Sequence, residues 1–336
     1  MKLHAPFIQL PLLFDAEALA AEISAIGESA WRPHPQGFPG NSMLPLVAVR
    51  GDKANEAFAG PMAPTPELLR CPYLQQVLGA LEATVGRTRL MRLAGRAEVT
   101  RHVDQGYYWA ERVRVHVPIV TQPSVRFECG DAAVNMAAGE CWIFDTWRQH
   151  RVLNDDSASR IHLVVDTVGG AGFWELVAGG RAHGAPAQAW SPRRTPMSPE
   201  GSALVAYETH NMPIVMTPWE LGSHLGFLIN EAVPHAQLKP LQQHAAQLVR
   251  CWRGLWAQHG DAASGRASYR AAFAHFAATV QPLSRNVVLR NQMPWYEVLM
   301  VMVGRSVVSD VEPDTHPVAE VSDRQVPAPH RAPGAA

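Results

Sequence analysis

Apolar positions along the 336 residues change their period several times. "FIQLPL" near the N-terminus reads as a strand. Asp15 then stands where an N-cap would open a helix through "AEALAAEISAIG", whose apolar residues recur at helical spacing. "RPHPQGFPGNS" reads as a loop and "LPLVAVRG" as another strand, while "TPELLRCPYLQQVLGALEATVG" is helical with a kink or break at Pro72. From Arg87 the period shortens. "RTRLMRLAG", "AEVTRHVD", "RVRVHVPIVT", "SVRFECG", "AAVNMAAGECWIFDT", "HRVLND" and "SRIHLVVDT" are β-branched-rich segments between turn-like residues, a spacing that predicts a sandwich or barrel. Past Gly169 helical spacing returns. "PWELGSHLGFLINEAV" opens with Pro218 in its first turn, and "LKPLQQHAAQLVRCWRGLWAQHG", "ASYRAAFAHFAATV" and "QMPWYEVLMVMVGRS" follow. From about Glu312 the tail is Pro/Ala-rich without apolar periodicity, which predicts disorder. The expected units are a lead-in plus β core over 1–172, a helical region over 173–310 and a tail over 311–336.

Composition narrows the function classes. Twenty-nine basic against 30 acidic side chains leave a net charge of −1, with no electrostatic footprint for nucleic acid or an anionic membrane. The four cysteines are scattered, as expected of separate reduced thiols in a cytoplasmic protein. The N-terminal apolar patch is interrupted by Pro6, Pro11 and Asp15 and lacks a small-residue cleavage site, against a signal peptide. No run approaches the roughly 18 apolar residues that span a bilayer.

Four features in the β core carry chemistry. His102 and Asp104 form an H-x-D pair. In extended chain such residues point to one side about 6.5–7 Å apart. An exposed His/Asp pair at a strand end would look the same. His150 follows the strand "ECWIFD", about 46 positions on. Two histidines and a carboxylate from different strands make the facial triad that holds Fe(II) and leaves positions open for a co-substrate and O2; a solvated loop histidine is the alternative for His150. Arg160 opens the strand "RIHLVVD". A buried arginine there needs an anion, either the far carboxylate of 2-oxoglutarate or a salt bridge to Asp155 or Asp156. Finally Arg112, Arg114 and His116 alternate with Val113, Val115 and Val117, one apolar face against one cationic face. Turned inward, that row would meet an acidic ligand; turned outward, it would be solvated surface.

Taken in order and spacing, "RHVD", "RVRVHVPIVT" and "NMAAGECWIFDTWRQHRVLNDDSASRIHLVVD" resemble the aspartyl/asparaginyl β-hydroxylase family of Fe(II)/2-oxoglutarate-dependent oxygenases, its bacterial free-proline hydroxylases in particular. The resemblance spans roughly Arg87 to Gly170. It implies a double-stranded β-helix (a jelly-roll, cupin-like core), to which the residue pattern adds flanking N-terminal helices and a helical C-terminal region. It implies His102, Asp104 and His150 as iron ligands, Arg160 as the anchor of the 2-oxoglutarate C5 carboxylate, and His116 as a co-substrate contact. Arg112 and Arg114 match arginines that engage an acidic group of substrate or co-substrate. Tyr107, Tyr108 and Trp109 would form a lid or pocket wall. Asp104 separates the chain from family members lacking that carboxylate and from halogenases. The implied activity is hydroxylation of an aliphatic carbon with succinate and CO2 as co-products. The expected substrate is a carboxylate-bearing free amino acid or small metabolite derived from one; a peptide side chain, or a catalytically silent metal-binding protein, are the other readings. The C-terminal helices would cover the active-site mouth or make homodimer contacts.

Overall fold

A computed structural model describes residues 1–35, 37–186, 190–198 and 204–309. The tail expected to be disordered lies outside the described residues. The chain opens with β1 (Phe7–Phe14). Asp15 Oδ1 then accepts from the backbone N–H groups of Glu17 and Ala18, capping α1 (Ala16–Ile26) as expected. Next come β2 (Arg32–Pro33), β3 (Asn41–Val49) and β4 (Met62–Pro64). The helical stretch that follows is broken where Pro72 predicts: α2 (Pro66–Leu69) ends, Cys71 leaves the helical region, and α3 (Pro72–Ala80) starts anew.

The predicted strands appear as β5 (Thr84–Leu93), β6 (Glu98–His102), then a short α4 (Tyr107–Ala110), β7 (Val113–Val120), β8 (Val125–Cys129), β9 (Ala132–Val134), β10 (Glu140–Phe144), β11 (His150–Asn154) and β12 (Arg160–Gly169). The segment read as one strand over 132–146 is two, divided by a turn. Gly139 takes φ +81° there, and a Cβ would stand 2.2 Å from the Phe14 carbonyl oxygen, so only glycine fits. α5 (Ala171–Ala178), β13 (Arg181–Ala182), β14 (Arg193–Thr195) and β15 (Ala206–Tyr207) follow. They precede α6 (Pro218–Glu231), α7 (Leu238–His259), α8 (Arg266–Leu283), α9 (Trp295–Leu299) and a π-helical turn over Met300–Gly304.

The strands form two sheets. The larger runs β13-β1-β10-β7-β12-β5-β3-β2, with β14, β15 and β4 pairing at β1, β5 and β3; the smaller runs β6-β11-β8-β9. Their inner faces meet over Phe7, Leu93, Phe127, Trp142, Phe144 and Val152. This is the jelly roll of a double-stranded β-helix, mostly antiparallel, with every long strand of the larger sheet paired antiparallel to its long neighbours. The outer face of the larger sheet is covered by α1 and α3, which bury Leu19, Ile23, Tyr73 and Leu78.

The boundary expected at 172 falls too early. Phe173 of α5 is fully buried in the β core, β13 and β14 pair with β1, and β15 pairs with β5, so the β unit extends to about residue 208. Strands of two or three residues leave no readable period. The helical unit has its own core around Leu221, Leu228, Trp252, Tyr269, Phe276 and Trp295. Val103 and Trp147 of the β unit join that core. Trp147 Nε1 donates to Glu231 at 3.0 Å, and the Asn291 amide donates to the Trp147 carbonyl at 3.0 Å. The helices therefore brace the loops 103–106 and 145–149. No described helix is long and apolar enough to cross a membrane.

Candidate metal centre and its cavity

The pairing of β6 with β11 sets His102 directly opposite His150, with ring centroids 4.2 Å apart. Asp104 follows β6 in a loop fixed by its own N–H, which donates to the Thr146 carbonyl at 3.1 Å. Its carboxylate lies 3.9 Å from His102 Nε2 and 3.8 Å from His150 Nε2. One ligand atom from each of the three residues falls within 4.8 Å of the others. Both imidazoles are oriented from behind. His102 Nδ1 sits 2.7 Å from the Thr100 carbonyl and His150 Nδ1 2.9 Å from that of Arg148. With Nδ1–H donated to a carbonyl, each Nε2 lone pair faces the shared point, the tautomer a metal requires. Burial lowers the His150 pKa to about 4, keeping the ring neutral. Burial would raise Asp104, but Arg114, His150 and His102 outweigh it and hold the carboxyl below its usual range.

The cluster opens into a cavity of about 650 Å³ between the two sheets. Arg160 lines its wall, 3% exposed, with Nε and Nη1 buried and without hydrogen-bond partners. The salt bridges to Asp155 or Asp156 do not form. Asp155 pairs with Arg126, and Asp156 accepts from Ser124 and the Ala158 N–H. Burial lowers the Arg160 pKa to about 10, still charged at neutral pH. His116 also lines the cavity; its Nδ1 is 3.3 Å from His162 Nδ1 and its Nε2 is buried without a partner. Burial, reinforced by Arg160, holds His116 neutral.

The expected cationic row divides. Arg114 faces the cavity, 3.0 Å from Asp104 Oδ2 in an ionic contact and donating from Nε to Asp166 at 3.1 Å. Its guanidinium lies 4.2 Å over the Trp109 ring, which is part of the same wall. Arg112 does not face the cavity. It stands one residue before β7, where Glu208 accepts from its Nε and Nη2 at 2.8 and 3.1 Å and the Tyr108 carbonyl from its Nη1 at 3.0 Å. A substrate carboxylate would have to displace a buried bidentate pair, so the ligand contact expected of Arg112 is corrected to a structural one. Tyr107 is corrected too. Its hydroxyl donates to Glu220 at 2.5 Å and its ring packs on His224, both on α6. Arg87 and Arg89 of β5 were missed, although they alternate along their strand as Arg112 and Arg114 do. Both line the cavity, as do His34 and Phe38 from the loop before β3 and Glu56 and Phe58 from the loop after it.

A jelly roll with two imidazoles and a carboxylate about one point, beside an arginine-lined cavity, defines a site of the mononuclear non-haem iron oxygenase class. Imidazole and carboxylate donors suit Fe(II), and the unpartnered Arg160 N–H groups suit a carboxylate. Residues 59–169 match the family described as Aspartyl/Asparaginyl beta-hydroxylase. The matched stretch carries His102, Asp104, His150 and Arg160 and supports a hydroxylase, and the donor groups of the site suit Fe(II) and a carboxylate co-substrate. No curated protein matches the chain. Among solved structures, a Pseudomonas putida prolyl-4-hydroxylase aligns with 15% identity over 49% of this chain and 92% of its own, TM-score 0.33. A Burkholderia pseudomallei oxidoreductase of the 2OG-Fe(II) oxygenase family aligns with 14% identity over 46% and 81%, TM-score 0.33. A Trichoplax adhaerens prolyl hydroxylase, in complex with a hypoxia inducible factor peptide fragment, aligns with 11% identity over 49% and 84%, TM-score 0.36. These likenesses are too distant to carry a substrate across.

Proposed function

We propose that this hydroxylase oxidises an aliphatic carbon of a carboxylate-bearing free amino acid or of a small molecule derived from one. The observation that carries the reading is the joint placement of the His102–Asp104–His150 cluster and the unpaired Arg160 on one cavity. His102, Asp104 and His150 would hold the iron. When bound, that iron supplies the activation of O2 coupled to oxidative decarboxylation of 2-oxoglutarate.

The rest is work for the chain's own groups. Arg160 fixes the far carboxylate of 2-oxoglutarate with its free Nε and Nη1 hydrogens. His116, neutral, offers a hydrogen-bonding nitrogen to the co-substrate from the neighbouring strand. Arg114 sits against Asp104 and over Trp109, holding the carboxylate ionised and closing that side of the site. Phe127, Phe144 and Val152 form a dry floor that excludes water from the reacting carbon. The Nδ1 contacts of both histidines and the braced loops keep the three ligand atoms in place without reorganisation.

The test is a succinate-release screen with Fe(II) and 2-oxoglutarate over free amino acids and short peptides. Release stimulated by one or more free amino acids is the expected result. Stimulation by peptides alone would move the reading to a peptide side chain. No turnover with any member of either panel would contradict it.

A further inference from the structure

A second cavity, of about 210 Å³, shares Asp104 and Trp109 with the first and is walled by the helical unit as well as the β unit. Its lining is mostly apolar. Trp109 and Ala110 come from α4, Trp147 from the loop before β11, Phe227 from α6 and Met302 from the π-helical turn. α4 packs against that turn. Such turns are rare and found frequently at functional sites.

One buried polar side chain interrupts the apolar wall. His224 of α6 lines the cavity, is 3% exposed, and keeps its Nε2 buried without a hydrogen-bond partner. Tyr107 packs edge-on against its ring, 5.8 Å between centroids, but the Tyr107 hydroxyl is committed to Glu220. Burial lowers the His224 pKa, so the ring is neutral, with one donor and one acceptor nitrogen. A buried polar group left unpaired is destabilising, which points to a missing partner. Charge gives that partner no preferred sign: Lys2 and Glu111 at the exposed rim oppose each other, and Asp104 is paired with Arg114.

Size and lining define the partner further. A water takes about 30 Å³ and needs two or more polar groups, which this wall does not offer in number, whereas an apolar cavity of about 150 Å³ holds a benzene ring. We propose that this cavity between the two units is a binding site for a small neutral molecule with one apolar ring and one hydroxyl, which hydrogen-bonds to His224. The occupant touches both loops that position the metal ligands, 103–106 through Asp104 and Gly106 and 145–149 through Trp147. It therefore fixes those loops against α6 and favours the metal-binding arrangement, a coupling that acts equally in both directions. The site itself stands on its own geometry and holds for any substrate of the first cavity.

The experiment titrates the full-length protein with benzyl alcohol, and with toluene as the same ring without a hydroxyl, by saturation-transfer NMR. Each titration is run on the metal-free protein and on protein loaded with Zn(II) and 2-oxoglutarate, which fill the first cavity. Benzyl alcohol should bind about 2–10-fold more tightly than toluene, the scale of one net hydrogen bond. Loading should tighten benzyl alcohol about fivefold or more. A protein that takes up no Zn(II) would count against the metal centre and leave the metal-free titration to decide the second site. His224→Phe should bind the two probes alike and keep at least the wild-type Tm when ligand-free, because an apolar ring replaces an unpaired imidazole. The proposal is overturned if benzyl alcohol does not bind, if it binds no better than toluene, or if 2-oxoglutarate displaces it. It is overturned equally if bound Zn(II) leaves its affinity unchanged, or if His224→Phe retains the preference or loses stability.

Discussion

Two arginines in this chain that look alike in sequence are expected to fail differently when replaced. Arg160 is buried with unspent N–H groups, so Arg160→Ala removes a ligand contact and little that holds the fold. Its KM for 2-oxoglutarate should rise about 10–100-fold with a smaller change in kcat, checked by steady-state succinate release. An unchanged KM would remove Arg160 from the co-substrate site. Arg112 is the opposite case. Arg112→Gln strands Glu208, itself buried, without its bidentate partner, at a cost of about 3–5 kcal/mol. Urea denaturation should show that loss. If the variant keeps its stability and loses substrate affinity instead, Arg112 belongs to the binding site after all.

At the scale of elements, the strands supply the ligands and the helical unit sets their loops. Asn291, just before α9, donates to the Trp147 carbonyl three residues from His150, and Gln149 Nε2 reaches the Asn291 carbonyl at 3.2 Å. Asn291→Ala should lower metal affinity about tenfold, as loss of a supporting partner does, while circular dichroism stays native. Unaltered metal binding would separate the helices from the site. Most of the β core was legible because its strands alternate: β7 sets Val113, Val115 and Val117 against Arg114 and His116, and β12 sets Ile161, Leu163 and Val165 against Arg160, His162 and Asp166. The Pro72 break and the Asp15 cap were legible for the same local reasons. What stayed hidden depends on tertiary packing. The β unit runs past its expected end because β13, β14 and β15 are too short to show a period. The direction of Arg112 is decided by Glu208, 96 residues away, and that of Tyr107 by Glu220 on α6. Arg87 and Arg89 carried the same alternating signal as the row on β7. Alternation alone does not say which face of β5 turns to the cavity; packing between the two sheets decides that.

At the scale of the molecule, the jelly roll and the helical unit make one claim: the proposed metal ligands and the proposed co-substrate anchor are parts of a single binding event. The most direct test is an anaerobic calorimetric titration of 2-oxoglutarate into the protein with and without Mn(II), run on the wild type and on Asp104→Ala. The wild type should bind one 2-oxoglutarate tightly with metal and at least about tenfold more weakly without it. Asp104→Ala should lose both the metal and the metal-dependent part of that affinity. Equal 2-oxoglutarate binding with and without metal, or an Asp104→Ala protein that binds both as the wild type does, would contradict the account.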